Sequence, residues 1–214
     1  MPIPLSGVRL APTRVDDVFV LSRAKLPTKH GPFELVGFRL GNGEKLDDIA
    51  LVRGDITGEE PVAVRVHSEC LTGDVLGSLR CDCGDQLALA MERLAAGPSG
   101  VLLYMRQEGR GIGIASKVQA YALQDEGLDT VDANHHLGFD DDLRSYDVAA
   151  AMLHALGVHT VELHTNNPRK VSGLRAAGID VVKRVPLEIE AREENAQYLA
   201  TKRDRSGHLL DDKK

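Results

Sequence analysis

Residues 146–185 read YDVAAAMLHALGVHTVELHTNNPRKVSGLRAAGIDVVKRV. Two periods alternate in this stretch. Apolar residues recur at helical spacing through 146–156, and Gly157 ends that segment. The short apolar run 158–163 suits a buried strand. A second helix is expected over 168–177, with Asn167 as its cap, Pro168 at its first position and Gly178 after its end. Residues 179–185 return to a strand pattern.

The alternation extends toward the N-terminus. Residues 87–96 read as a helix and 100–105 as a buried strand. Residues 114–126 have helical spacing, with Val118, Tyr121 and Ala122 on one face. Farther upstream only strands are legible, at 33–38, 49–53 and 62–66, and Asn42-Gly43 marks a turn between the first two. Strands come first and then alternate with helices. The expected class is therefore α/β, a layered fold with a mixed β-sheet flanked by helices. Residues 195–205 read as a terminal helix. The expected organisation is an N-terminal extension over 1–23, one domain over 24–210 and a charged tail over 211–214.

The chain has 214 residues, 43% of them hydrophobic, enough for a substantial core. Its net charge of −6 argues against a general nucleic-acid binder, which would show a basic face. Residues 1–6 lack the charged and apolar regions of a signal peptide, and the longest apolar run, 101–105, is too short to span a bilayer. The expectation is a cytoplasmic protein with no membrane partner. Three cysteines, Cys70, Cys81 and Cys83, make a poor disulfide framework.

Their arrangement is more informative. His67-Ser68-Glu69-Cys70 is followed by Cys81-Asp82-Cys83. Zinc favours thiolates, and three of them with a water make an open four-coordinate site. Such a site can lower the pKa of its water to about 7. Other readings exist. Free cysteines are common in cores, although Arg80, Asp82 and Asp85 make these surroundings polar. A closed structural site with His67 as fourth ligand fits the same spacing. His67-Ser68-Glu69 matches the first half of the nucleobase-deaminase signature, but Cys81-Asp82-Cys83 does not match its second half. A Cys–His nucleophile pair needs no three-cysteine cluster.

Two further stretches suit anions. Arg106-Gln107-Glu108-Gly109-Arg110-Gly111-Ile112-Gly113 lies between a strand and a helix, where glycines let the backbone approach a ligand. It has neither the lysine and hydroxyl of a Walker loop nor the dinucleotide glycine spacing; a tight structural turn is the bland alternative. Thr165-Asn166-Asn167-Pro168-Arg169-Lys170 reads as a helix cap, or as a phosphate seat with Lys170 one turn in. The run Asp140-Asp141-Asp142 before Arg144 reads as a solvated acidic face, a magnesium site, or a general base beside a cation.

Together these motifs resemble one family. Residues 65–74, RVHSECLTGD, and 79–84, LRCDCG, look like the signature of GTP cyclohydrolase II. Arg106 to Arg110, Ala133-Asn134-His135 and Thr165 to Pro168 add to it, in order, from about residue 24 to 210. The resemblance implies that 24–210 is the catalytic domain, a homodimer that binds zinc, and magnesium with the triphosphate. Cys70, Cys81 and Cys83 would hold zinc, with water fourth. Arg65, Val66, His67, Ser68, Glu69, Gln86, Glu108, Gly109, Arg110, Thr130, Thr165 and Lys170 would contact GTP. Asp142 would be the proton acceptor, Arg144 the group assigned as nucleophile at the α-phosphate, and Tyr121 a group near the reaction centre. The implied reaction opens the imidazole ring of GTP and releases formate and pyrophosphate. It gives 2,5-diamino-6-(5-phosphoribosylamino)pyrimidin-4(3H)-one, the first step of riboflavin synthesis; the same ring opening could serve a deazapurine or other secondary pathway. Glu108 suits guanine, because a carboxylate can accept from N1–H and the 2-amino group together. A guanidinium is a poor nucleophile, so Arg144 has a second reading as a charge stabiliser. Many relatives carry a dihydroxybutanone phosphate synthase at the N-terminus, and residues 1–23 are too short for one, so a single activity is expected.

Overall fold

The computed structural model describes residues 17–58 and 61–209. A seven-stranded sheet contains β1 (Val18–Thr28), β2 (Gly31–Leu40), β3 (Lys45–Arg53), β4 (Val62–Ser68), β5 (Gly100–Met105), β6 (Thr160–His164) and β7 (Asp180–Val185). The spatial order is β1-β2-β3-β5-β4-β6-β7. The pairs from β1 to β5 are antiparallel, and β5, β4, β6 and β7 run parallel. Short turns suffice for the antiparallel part, whereas parallel neighbours need crossovers. The turn after β2 holds Asn42 and Gly43; Gly43 has φ 88° and the Asn42 side chain accepts from Glu44 N at 2.9 Å.

The described helices are α1 (Leu71–Asp74), α2 (Cys83–Ala96), α3 (Gly113–Asp125), α4 (Thr130–His136), α5 (Asp147–Ala155), α6 (Pro168–Ala176) and α7 (Ala196–Asp204). None is long and apolar enough to cross a membrane. The sheet is covered on both faces. Val101, Leu103 and Met105 of β5 face one cluster with Met152 and Leu153 of α5 and Leu174 of α6. Leu102, between them in sequence, faces the other with Ala90 and Leu94 of α2. This period of two is what a strand buried on both faces requires. The mixed, helix-flanked α/β sheet expected from the alternation is the fold observed. Asn167 caps α6 by accepting from Arg169 N at 2.9 Å, with Pro168 in the first turn, as its sequence indicates.

Two expectations need correction, and one helix was not legible. Strand β1 begins at Val18 and pairs along the whole of β2, so residues 18–23 belong to the sheet and not to an extension. Residues 1–16, the end of the domain at 210 and the tail 211–214 lie outside the described residues. On α3 the buried residues are Lys117 and Ala120, whereas Val118 is 58% exposed. Helix α4 carries no legible apolar stripe; Asp129 nucleates it by accepting from Val131 N and Asp132 N.

The topology makes a crevice. The crossover from β4 through α2 reaches β5 on one side, and the chain then passes through α5 to β6 on the other side of β4. Loops leaving the carboxyl ends of β4, β5 and β6 therefore diverge, which is where ligands bind in open α/β sheets. The cysteine segment follows β4, the glycine loop follows β5 and the Thr165–Asn167 segment follows β6.

Candidate active site

The cysteine segment folds into a tight turn. Cys70 precedes the single turn α1, and Cys83 opens α2. The three sulfurs lie within 4.8 Å of one another, with Cys70 and Cys81 at 3.7 Å. Tetrahedral zinc with bonds of about 2.3 Å separates two sulfurs by about 3.8 Å, so the donor set fits zinc. Two glycines permit the approach. A Cβ on Gly73 would stand 2.9 Å from Cys81 Sγ, and one on Gly84 would stand 2.3 Å from Gly73 O. Electrostatics point the same way. Hydrogen bonds from Cys81 and Cys83 hold the Cys70 thiol well below its ordinary pKa. The same contacts with Cys70, together with burial, push Cys81 up to about 11 and Cys83 well above the usual thiol range. Three adjacent thiols resist sharing negative charge until a cation joins them.

His67 is not among the clustered ligands. Its Nε2 lies 3.0 Å from Asp74 Oδ2, and its ring stacks on Tyr104. Asp74 Oδ2 also accepts from Cys70 N at 3.0 Å and from the Tyr104 hydroxyl at 2.9 Å. Burial lowers the pKa of His67. The closed arrangement with His67 as fourth ligand does not form.

A cationic end lies opposite. Arg65 reaches His164 O at 3.0 Å and Gln86 Oε1 at 2.7 Å. Lys170 donates to Val66 O at 2.7 Å. Arg144 forms a fork with Asp142 through Nε at 2.8 Å and Nη2 at 2.7 Å. Burial opposes charge on both partners, yet the pairing outweighs it. Arg144 is held above its ordinary pKa and Asp142 below. Burial, then Arg65, Arg144 and Lys202, push Lys170 well below the usual lysine range. Arg110 alone among the described non-glycine residues has positive φ, at 62°, between Gly109 and Gly111, so this loop turns its backbone sharply toward the crevice.

One pocket joins the two ends. Every residue expected to hold zinc, contact GTP or take part in catalysis lines it except Val66, which contributes its carbonyl to Lys170, and Asp142, which stands behind Arg144. Tyr121 lies near the sulfurs with its hydroxyl 3.2 Å from Thr72 Oγ1, and Arg80 stacks over its ring. Glu69 pairs with Arg106 at 2.9 Å. Glu108 is occupied: Oε1 accepts from Lys117 and Gly109 N, each at 2.8 Å, and Oε2 from Leu71 N at 2.6 Å. The run Asp140–Asp142 does not converge on a magnesium site. Asp142 faces Arg144 and Asp141 pairs with His135 at 2.5 Å; among the described residues only the three cysteines gather as candidate ligands.

A sequence model of the family described as GTP cyclohydrolase II matches residues 20–186. The chain belongs to the GTP cyclohydrolase II family. It is 55% identical over 193 residues to a protein named GTP cyclohydrolase-2 of Baumannia cicadellinicola, covering 90% of this chain and 96% of that one. It is 56% identical over 185 residues to the riboflavin biosynthesis protein RibBA of Bacillus cereus, covering 86% of this chain and 46% of that one. With the RibBA of Bacillus cytotoxicus the identity is 51% over 203 residues, 94% of this chain and 51% of that one. The chain thus spans about half the length of the RibBA proteins it matches.

The stretch matched by the family model ends at residue 186, and α7, which follows it, closes the pocket. Lys202 pairs with Asp82 at 2.6 Å, between two cysteines, and Leu209 N donates to Asn166 O at 2.8 Å. Arg205 binds Asp129 and Asp132 at the start of α4, beside Thr130. Tyr198, Lys202 and His208 line the pocket. The sequence reading missed Tyr198, Lys202, His208 and Lys117, and it quoted Asp74, Asp82 and Asn134 within motifs without giving them a role. Of the missed residues Lys117 had a signal, since it lies one helical turn before Tyr121.

Proposed function

We propose that this chain hydrolyses GTP, opening the guanine imidazole ring with release of formate and pyrophosphate, as the first step of riboflavin synthesis. The observation that carries this is one pocket with a zinc-compatible cysteine triad at one end and buried cations at the other. A triphosphate needs the cations, and ring opening needs an activated water. Zinc held by Cys70, Cys81 and Cys83 would supply that water for attack at C8. Tyr121, whose phenol burial holds above its ordinary pKa, lies beside the sulfurs and would be a proton donor toward the purine ring. Arg65, Lys170, Arg110 and Arg144 face the phosphates. Arg144 and Asp142 hold each other charged, which favours stabilisation of α-phosphate charge over nucleophilic attack by the guanidinium. Magnesium would arrive on the triphosphate. Incubation with GTP, zinc and magnesium, followed by mass spectrometry, tests the reading. The expected product is 2,5-diamino-6-(5-phosphoribosylamino)pyrimidin-4(3H)-one with formate and pyrophosphate; intact GTP, or a product still carrying three phosphates, would sink it.

Lys170 makes substrate binding depend on pH. Its folded pKa is depressed in the free protein, and neighbouring phosphate would restore the charged form. Between the depressed and the ordinary value the free protein carries fewer protons than the complex, so binding takes up a proton. At about pH 9, below the ordinary lysine pKa, the calorimetric enthalpy for a non-hydrolysable GTP analogue is expected to vary with buffer ionisation heat. Lys170→Met should remove that variation. An enthalpy already independent of buffer in the native protein would remove Lys170 from phosphate contact.

The protein is also proposed to be a homodimer. Val75 and Leu76 on the cysteine turn are 68% and 69% exposed, and Val118 on the outer side of α3 is 58% exposed. Arg80 ties the turn to α3 through Tyr121 and Asp125, and exposed apolar groups of this kind suit a partner surface. Sedimentation should give twice the chain mass of 23.2 kDa. A species of the chain mass alone at micromolar concentration refutes the dimer.

A further inference from the structure

Lys117 is a buried lysine on α3 with no part in the reaction described above. Its ammonium donates to Cys70 Sγ at 3.1 Å, Thr72 Oγ1 at 3.0 Å and Glu108 Oε1 at 2.8 Å. Its side chain is 11% exposed and that of Glu108 8%. Through the remaining bonds of Glu108, to Leu71 N and Gly109 N, the pair spans two segments far apart in sequence. One is the cysteine turn after β4; the other is the glycine loop after β5.

A buried ion pair carries a desolvation cost that only good geometry offsets. Here three polar acceptors surround the ammonium, and three donors surround the carboxylate. Such an arrangement holds backbone in place. The charge also suits the site. Three thiolates around a divalent zinc leave one net negative charge, and an ammonium against one sulfur offsets it.

We propose that Lys117 and Glu108 act as a positioning pair that clamps the cysteine turn to the glycine loop and holds Cys70 in place for zinc. This rests on the zinc reading given above. It also assigns the carboxylate of Glu108 to the protein's own donors, so that discrimination of guanine falls to other groups in the pocket.

The test compares zinc affinity, by competition with a chromogenic chelator, in the native protein, Lys117→Met and the double variant Lys117→Met/Glu108→Gln. Loss of a ligand's hydrogen-bond partner typically costs 10–100-fold in metal affinity, and that loss is expected in both variants. The double variant removes both buried charges, so it should keep the native far-ultraviolet spectrum and melting temperature. In the cobalt-substituted protein the sulfur-to-metal charge-transfer band should shift, because the sulfur loses a donor. Zinc affinity within twofold of native in Lys117→Met overturns the proposal. So does native affinity in the double variant, since the lysine would then only neutralise Glu108. Glu108→Gln should leave the ratio of GTP to ATP turnover unchanged; a collapse of that ratio overturns the assignment of Glu108. A native protein that binds no zinc overturns the zinc reading as well, whereas native zinc binding unmoved by Lys117→Met overturns this inference alone.

Discussion

Arg144→Ala is expected to lower pyrophosphate release from GTP by at least about a hundredfold, the usual effect of deleting a positioned group that stabilises transition-state charge. The side chain is 13% exposed at the pocket wall and locked by a two-point contact with Asp142. Truncation removes a pre-oriented cation and leaves the Asp142 carboxylate, only 8% exposed, without that partner. The remaining negative charge would then face the phosphate. Lys at this position should recover only part of the rate, because an ammonium cannot reproduce the fork. Formate and pyrophosphate must be measured separately. If formate release falls with pyrophosphate, ring opening depends on prior chemistry at the α-phosphate. Native pyrophosphate release in Arg144→Ala would exclude both the nucleophile and the charge-stabiliser roles.

Cys81→Ser is expected to remove zinc and to lower formate release by roughly a thousandfold, equivalent to about 4 kcal/mol. The native protein should hold about one zinc per chain, since the donor set closes around a single ion. Serine is a harder, weaker ligand and keeps its proton at neutral pH. The substitution also relieves no crowding that the fold needs, because Gly73 and Gly84 already make room for the turn. Metal analysis and formate assay on the same sample test the link. Because the cationic end is separate from the sulfurs, slow pyrophosphate release can persist in Cys81→Ser. Full zinc occupancy in a variant with all three cysteines changed to serine would remove the thiolates as ligands.

The order of elements was legible because period and punctuation are local. Residues 100–105 matched β5 without adjustment, and the α5–β6–α6–β7 unit differed only at its ends. Strand β1 was not legible. It lies at the sheet edge, and its short apolar start over 18–21 gives way to mostly exposed side chains, so no sustained period of two marks it. The face of α3 was misread for a related reason. Its buried side is defined by Lys117 and Ala120, and a lysine is counted as a solvent-facing residue until its partners are known.

Residue identity and spacing made the three thiols a candidate site and placed a glycine loop and a capped helix after strands; the family resemblance joined them with the cations into one site. These features depend on neighbours within one turn or one loop. Only the tertiary structure decided which groups are committed to one another. Lys170 reaches Val66 across 104 residues, and Lys202 reaches Asp82 across 120. His67 turns to Asp74 and Glu108 to Lys117 because packing brings a specific partner within hydrogen-bond reach. A buried polar group must take the partner that the fold supplies, and no local pattern in the chain encodes which one that will be.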